Sequence, residues 1–529
     1  MGVGVAGGWV CWNLRVTPET RQGRARDRLT KVGVAAVGAS VVVTVVIGLL
    51  GPSAMVPGLG GPGWQPPYWL DARPDGHLVI ALAAAGLVLG GFGLLAVLSA
   101  IPAAPASSGG AVGWRPWLPR ARALVVLGCL AAGVLAFLPP SGSGDHLNYA
   151  AYGRMVTLGL DPYTHGAADL PGDPVADAVE APWREEPSVY GPVATAVQAA
   201  ASWVGGDSTR LTIFVLALVN AAAFIATGLL IDRFTRHDPA RRLRAALLWT
   251  ANPLLLYHLV AGMHADTLAI ACMVAALLAR GRPLGSGLLL GLGVAVKLNA
   301  GLVALGPAWE LRRRPARLAV MAGAAVAVVV VGYAVAGPEA LAPVSRTSKS
   351  VSWASLWKLV QGWLQGALGS GAYRGEIQVG SLLLLALVAW SLLRMAARGP
   401  VPGGAGGFLA RPFGGGEVDA TVVAAALTVA YVFATPYVLP WYDGLAFGML
   451  ALVGASAVDG FAVAHLLALS LAYLPARVDG QPEDLAWLGE VVRPRMAWVL
   501  LALTCVLVVW AWRAAAPVRT PRASAAPPR

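Results

Sequence analysis

Long apolar runs separated by short polar breaks dominate the chain. Seven runs, at residues 32–51, 77–101, 122–138, 211–231, 318–336, 380–393 with their flanks, and 496–512, have roughly the 17–25 residues that a helix needs to cross about 30 Å of hydrocarbon. A second set is shorter: 245–260, 263–279, 284–295, 299–309, 420–436, 441–458 and 460–474. Together they predict an all-α integral membrane protein, a multi-spanning helical bundle with about 14 membrane segments. The runs are rich in Ala, Gly, Val and Leu, which suits close approach of helices in lipid.

Two features of the pattern point to a cavity. Asn252-Pro253 and Asn299 interrupt their segments, and the runs 284–295 and 299–309 are too short for two full crossings. Broken helices at membrane depth are tolerated where protein or a water-filled cavity satisfies the freed backbone groups. A membrane enzyme needs such a cavity.

Three polar stretches fall on one side of this arrangement: 52–76, 139–210 and 337–380. The middle one is the longest and holds nine acidic residues. Within it, residues 193–204 are apolar but too short to span, and they predict a helix lying in the membrane interface. The stretch 399–416 is rich in Gly and Pro and reads as a flexible connector. No internal repeat is visible, which counts against the paired halves of many secondary transporters.

Composition closes off the soluble alternative. Hydrophobic residues make up 57% of the chain and charged residues 12%, with mean hydropathy +0.66; a soluble domain of average usage carries about 25% charged residues. The topology places 27 of the 39 Lys and Arg on the proposed cytoplasmic side and 19 of the 27 Asp and Glu on the other. That bias, strongest in the loops 232–244 and 312–317, puts both termini in the cytoplasm. The expected layout is a basic cytoplasmic tail (1–31), one polytopic domain (32–513) with extracytoplasmic loops at 139–210 and 337–380, and a disordered cytoplasmic tail (514–529). The arginine-rich stretch 21–31 leads directly into a full-length span, so no cleavable signal is expected. The net charge of +12 sits in loops beside anionic lipid, so membrane lipids are the expected partner and nucleic acid is not. Four cysteines without CxxC spacing read as small apolar residues.

The candidate chemistry begins just after the third run. Asp145 stands at the membrane exit beside His146, and Asp145, Asn148 or Tyr149, and Tyr152 share a face at helical spacing. Asp145 also fits a plain helix cap. Further ionisable or aromatic groups fall at the same side of later segments: His264 and Asp266, then Lys297, then Tyr437, Trp441, Tyr442 and Asp443. Ionisable side chains at membrane depth are costly and point to function. A carboxylate here serves as general base for an acceptor hydroxyl. Lys297, Arg154, Arg346 and Lys349 are the cations available to hold a leaving phosphate. No Walker A, HExxH or GxSxG motif stands in a fitting context, and His264 with Asp266 does not by itself make a metal site.

The motifs SGSGDHLNYAAYGRM (141–155), GLDPYTH (159–165), VYGP (189–192), NPLLLYHLVAGMHAD (252–266), VKLNA (296–300) and TPYVLPWYD (435–443), in this order, resemble the GT-C glycosyltransferases. The resemblance is closest to the polyprenyl-phosphomannose-dependent alpha-1,6-mannosyltransferases of lipomannan and lipoarabinomannan assembly, and it covers about residues 32–512. It implies a GT-C-like helical bundle with Asp145 as catalytic base in the large extracytoplasmic loop. It further implies inversion in one displacement, a polyprenyl-phosphate sugar donor, a glycolipid or polysaccharide acceptor, and no cofactor or metal. Donor and substrate contacts fall to His146, Tyr149, Arg154, Tyr190, His264, Asp266, Lys297, Arg346, Lys349, Tyr442 and Asp443. The chain departs from the common family pattern in carrying His146 where a second acid often sits. Three readings remain beside this one: a transferase for another lipid-phosphate sugar such as arabinose, a lipid or oligosaccharide transporter, and a scaffold in which Asp145 only caps a helix.

Overall fold

The computed structural model describes residues 18–101, 119–343, 350–398, 413, 418–477 and 479–515. Arg346 and Lys349 lie outside the described residues. The described chain is helical; its extended pairing is confined to one isolated bridge, Ser53 to Val56. The helices are α1 (Pro18–Leu50), α2 (Gly76–Ala100), α3 (Ala121–Ala136), α4 (Asp145–Thr157), α5 (Pro192–Gly205), α6 (Thr209–Thr235), α7 (Pro239–Leu248), α8 (Asp266–Leu278) and α9 (Pro283–Val296). They continue as α10 (Leu305–Leu311), α11 (Pro315–Ala336), α12 (Leu356–Leu368), α13 (Arg374–Ala396), α14 (Ala420–Ala434), α15 (Asp443–Leu450), α16 (Val458–Tyr473) and α17 (Arg493–Ala514).

Six helical stretches among the described residues are long and apolar enough to cross a membrane: Asp27–Leu50, Gly76–Ala100, Thr209–Thr235, Pro315–Ala336, Arg374–Ala396 and Glu483–Ala514. Five more apolar helices, α3, α8, α9, α14 and α16, have 10–17 residues. The surface of α11 shows why lipid is the fitting solvent. Val320, Val326, Val330, Val331 and Val335 are half or more exposed on one helix, and a soluble protein rarely leaves so large an apolar strip uncovered.

Helix α1 packs on α2, α9 on both α8 and α11, α4 on α5, and α13 on α14. At the α9–α11 crossing, Gly287 and Gly291 sit one turn apart. A Cβ at Gly287 would come within 2.2 Å of the Met321 carbonyl oxygen, and one at Gly291 within 2.7 Å of that of Ala325. The absent side chains let the two backbones touch, as small residues do between membrane helices.

Both interruptions expected from the sequence are present. After α7, the Asn252 side chain accepts from the Leu254 and Leu255 N–H groups, and Pro253 starts a new short turn. The chain then widens: the N–H groups of Gly262 and His264 reach back five residues, to the carbonyls of Tyr257 and Leu259. At the second interruption, α9 ends at Val296 and Lys297 adopts an extended conformation, φ −152° and ψ 121°, before a tight turn leads into α10. A third break divides the run read as 441–458. Helix α15 stops at Leu450, and residues 451–457 are not α-helical. Its orphan carbonyls find arginine donors: Arg244 donates to Leu450 and Val453 and Arg241 to Leu452, while Arg244 also forks onto Asp459 at 2.6 and 2.5 Å.

Candidate active site

Asp145 is the first residue of α4, and its side chain makes no capping bond. Gly144 occupies the cap position, and the Asp145 N–H is satisfied by Ser143 Oγ at 3.1 Å. The carboxyl group is thereby left out of the helix cap, with Ser143 as its hydrogen-bonding neighbour and 29% of the side chain exposed. Burial raises its pKa to about 6, against the pull of nearby Lys297.

The widened turn after Asn252 delivers His264 to this carboxyl group. His264 is fully buried, with Nε2 3.6 Å from Asp145 Oδ2. Its ring lies flat on Trp441, centroids 3.6 Å apart and planes 16° apart. Its Nδ1 is 2.6 Å from the His258 carbonyl oxygen, and His258 Nε2 is in turn 2.7 Å from Ser470 Oγ.

The extended break at Lys297 brings the cation. Lys297 Nζ is 2.6 Å from Asp266 Oδ1, in a pair whose side chains are 12% and 7% exposed. It sits 4.0 Å above the Tyr442 ring and 5.7 Å from that of Tyr190. Asp266 Oδ2 is buried without a partner. Tyr149, one turn beyond Asp145, bonds Tyr190 hydroxyl to hydroxyl at 2.8 Å. One face of α4, the two broken hairpins and the start of α15 thus converge on Asp145, Tyr149, Tyr190, His264, Asp266, Lys297 and Tyr442.

The other sequence candidates lie elsewhere. Arg154 is held between Asp173 at 2.7 Å and Asp207 at 2.5 Å, bracing α4 against its own loop. His146 is fully buried with both ring nitrogens unpartnered; burial and Arg477 push its pKa down to about 3, so the ring is neutral. Asp443 turns inward and pairs with buried His465 at 2.8 Å, behind the aromatic residues of its turn. The sequence reading passed over His258, Glu180 and Arg477. Arg477 joins Glu180 at 2.6 Å and the Ser53 carbonyl at 2.8 Å. Glu180 lies directly against Gly144, where a Cβ would meet its carboxylate at 3.1 Å. Nothing in their local sequence marks these three: Glu180 is one of nine acids in its loop, and Arg477 is 297 residues away from it.

The arrangement suits transfer to a hydroxyl: a semi-exposed carboxylate able to take a proton, a lysine able to meet an anionic leaving group, and aromatic walls suited to a sugar face. Among the described residues no three His, Cys, Asp or Glu side chains gather as a metal-binding set.

Known proteins resemble part of this chain. It is 33% identical over 167 residues to alpha-(1->6)-mannopyranosyltransferase A of Corynebacterium glutamicum, covering 31% of this chain and 34% of that protein. With alpha-(1->6)-mannopyranosyltransferase B of the same organism it shares 28% over 172 residues, 32% of this chain and 26% of the relative. With alpha-(1->6)-mannopyranosyltransferase A of Mycobacterium tuberculosis it shares 30% over 169 residues, 31% and 32% of the two chains. The chain thus spans between about a quarter and a third of the length of these relatives. The family model for the N-terminal domain of alpha-(1->6)-mannopyranosyltransferases matches residues 35–313. That match takes in more than half of the chain, including Asp145, His264, Asp266 and Lys297, and the chain belongs to the alpha-(1->6)-mannopyranosyltransferase family.

Proposed function

We propose that this protein is a membrane mannosyltransferase that moves mannose from polyprenyl-phosphomannose to an alpha-1,6-mannan or related glycolipid acceptor. The reaction takes place on the extracytoplasmic face of a bacterial plasma membrane, with both termini in the cytoplasm and residues 139–210 forming the outer loop over the site. The observation that carries this reading is the Asp145 carboxyl group at the head of α4, which makes no cap bond, faces His264 and lies within the electrostatic reach of Lys297.

The mechanism follows from that geometry. Asp145 accepts the proton of the acceptor hydroxyl as its oxygen attacks the anomeric carbon from the side opposite the phosphate. The anomeric C–O bond to the phosphate breaks, and the electron pair leaves with the lipid phosphate. One displacement of this kind inverts the anomeric centre and needs one base, unlike the paired carboxylates of retaining glycosidases. Lys297 turns from Asp266 toward the leaving phosphate and offsets the charge that develops there. Tyr149, Tyr190 and Tyr442 wall the sugar, and Asp266 holds Lys297 in place between turnovers.

The test uses purified protein in nanodiscs with radiolabelled polyprenyl-phosphomannose and a short alpha-1,6-mannoside. Wild type transfers label, and Asp145→Asn, still folded and still binding donor, loses at least about a hundredfold in turnover. Absence of transfer from any polyprenyl-phosphate sugar to several acceptors by folded wild type would refute the reading.

A further inference from the structure

His264 carries a constraint that the base mechanism alone leaves unused. A carbonyl oxygen only accepts, so the 2.6 Å contact with the His258 carbonyl fixes the hydrogen of the neutral ring on Nδ1. Nε2 then presents a lone pair. It is fully buried, it has no hydrogen-bond partner, and it faces Asp145 Oδ2 at 3.6 Å. Two proton acceptors confront each other, and one proton between them would satisfy both. The separation is longer than a hydrogen bond, as catalytic contacts often are before substrate binds.

We propose that His264 is the proton partner of Asp145, receiving on Nε2 the proton that the carboxylate takes from the acceptor hydroxyl. This inference rests on the transferase reading above. In the step, the acceptor O–H bond breaks as the new glycosidic C–O bond forms, and the proton goes to Asp145. It then crosses to His264 Nε2, restoring the carboxylate beside an imidazolium whose Nδ1–H still donates to the His258 carbonyl. Trp441, stacked face to face on the ring, offers its π surface to the cation that forms. The proton finally leaves to water or to the departed phosphate, which resets the pair.

The groups facing the pair decide how its pH dependence reads. Lys297 favours the carboxylate of Asp145, while Asp266 and Glu180 oppose it. His258 and His146 are the other rings close to His264, and His146 stays neutral across the working range. The phenols of Tyr149, Tyr152, Tyr190 and Tyr437 also feel Asp145, but burial pushes each of them above the ordinary phenol value. The acid limb of turnover therefore follows the Asp145 carboxyl group, on which the facing His264 Nε2 lone pair acts.

The test compares pH profiles of kcat and kcat/KM for wild type, His264→Asn and Asp145→Asn in nanodiscs. Asn keeps an amide N–H to hold the His258 carbonyl but lacks the opposing lone pair at the Nε2 position. Loss of that lone pair should move the acid limb of kcat/KM down by about one pH unit. Loss of the proton acceptor should lower kcat by about a hundredfold with the donor KM within about twofold. If the Asn variant does not fold, His264→Gln is judged by the same two readouts. Wild-type turnover and an unmoved acid limb in the folded variant would reduce His264 to a structural strut and overturn the proposal. The two readings fail separately. Inactive wild type sinks the transferase; active wild type with dead Asp145→Asn and an unaffected His264 variant sinks only the proton partnership.

Discussion

Replacing Lys297 by Met separates what the lysine does for folding from what it does for the leaving group. In the structure Lys297 is the close counter-charge of Asp266, 2.6 Å away, and both side chains are almost wholly buried, at 12% and 7% exposed. Asp266 Oδ2 already lacks a partner. Lys297→Met therefore strands a carboxylate at depth, and removing one member of a buried pair costs about 3–5 kcal/mol. Replacing both members with uncharged residues of similar size removes the stranded charge, so Lys297→Met/Asp266→Asn should recover most of that stability. The assay is thermal unfolding in nanodiscs beside single-turnover transfer. The single variant should unfold several degrees early, and the double variant should return close to wild type. Neither should transfer at more than about 1% of the wild-type rate, because losing one stabilising donor to a developing oxyanion costs about 10²–10³. A stable double variant with near-wild-type turnover would refute the role of Lys297 at the phosphate. A single variant as stable as wild type would refute the buried pair itself.

Three further outcomes follow from the same geometry. Asp145 is held up at about 6 by burial, so its base form is lost as pH falls: kcat/KM should be flat above about pH 7 and drop tenfold per unit below about pH 5, measured in a constant-ionic-strength buffer series. The same raised pKa means that the folded state binds the Asp145 proton more tightly than the unfolded chain, so the ionised carboxylate is a liability above the folded pKa. Asp145→Asn should therefore unfold no earlier than wild type at pH 7, and the advantage should vanish near pH 4, read by thermal scans at both pH values. In Gly153→Leu, the new Cβ falls 2.1 Å from the Gln198 carbonyl oxygen and pushes α4 off α5, lowering stability by about 1–3 kcal/mol and turnover with it; scans and transfer assays check both.

The membrane class was legible because hydropathy at helix length is a long, redundant signal. The two interruptions were legible for a different reason: Asn252-Pro253 and Asn299 break apolar runs locally, and a break stands at or beside each, the second at Lys297, two residues before Asn299. Asp145 was legible as a candidate, whereas its release from capping depended on Gly144 and Ser143 taking that role. Arg154 misled because a basic residue beside a motif looks like a phosphate ligand until Asp173 and Asp207, 19 and 53 residues away in sequence, are seen to claim it. Asp443 misled in the same way, since its partner His465 lies on the next helix. Ion pairs formed across the fold are the part of a site that residue type and spacing do not encode.

The positions of the breaks explain why the site exists at all. A continuous helix through residues 253–278 would commit every backbone group to its own ladder and carry His264 around the helix with the ordinary 100° step. The wide turn that closes on Gly262 instead frees the His258 carbonyl to hold the His264 ring. Likewise a continuous helix through Lys297 would not place an extended residue between α9 and the following turn, the conformation that lets its ammonium reach back to Asp266 at the start of α8. Each break gives up regular backbone hydrogen bonding and gains one oriented group, a ring nitrogen facing Asp145 or an ammonium paired with Asp266. In a lipid-embedded bundle, where irregular backbone is tolerated only against protein or a cavity, two such breaks, one facing Asp145 and the other bringing a charge near it, are best accounted for by chemistry carried out between them.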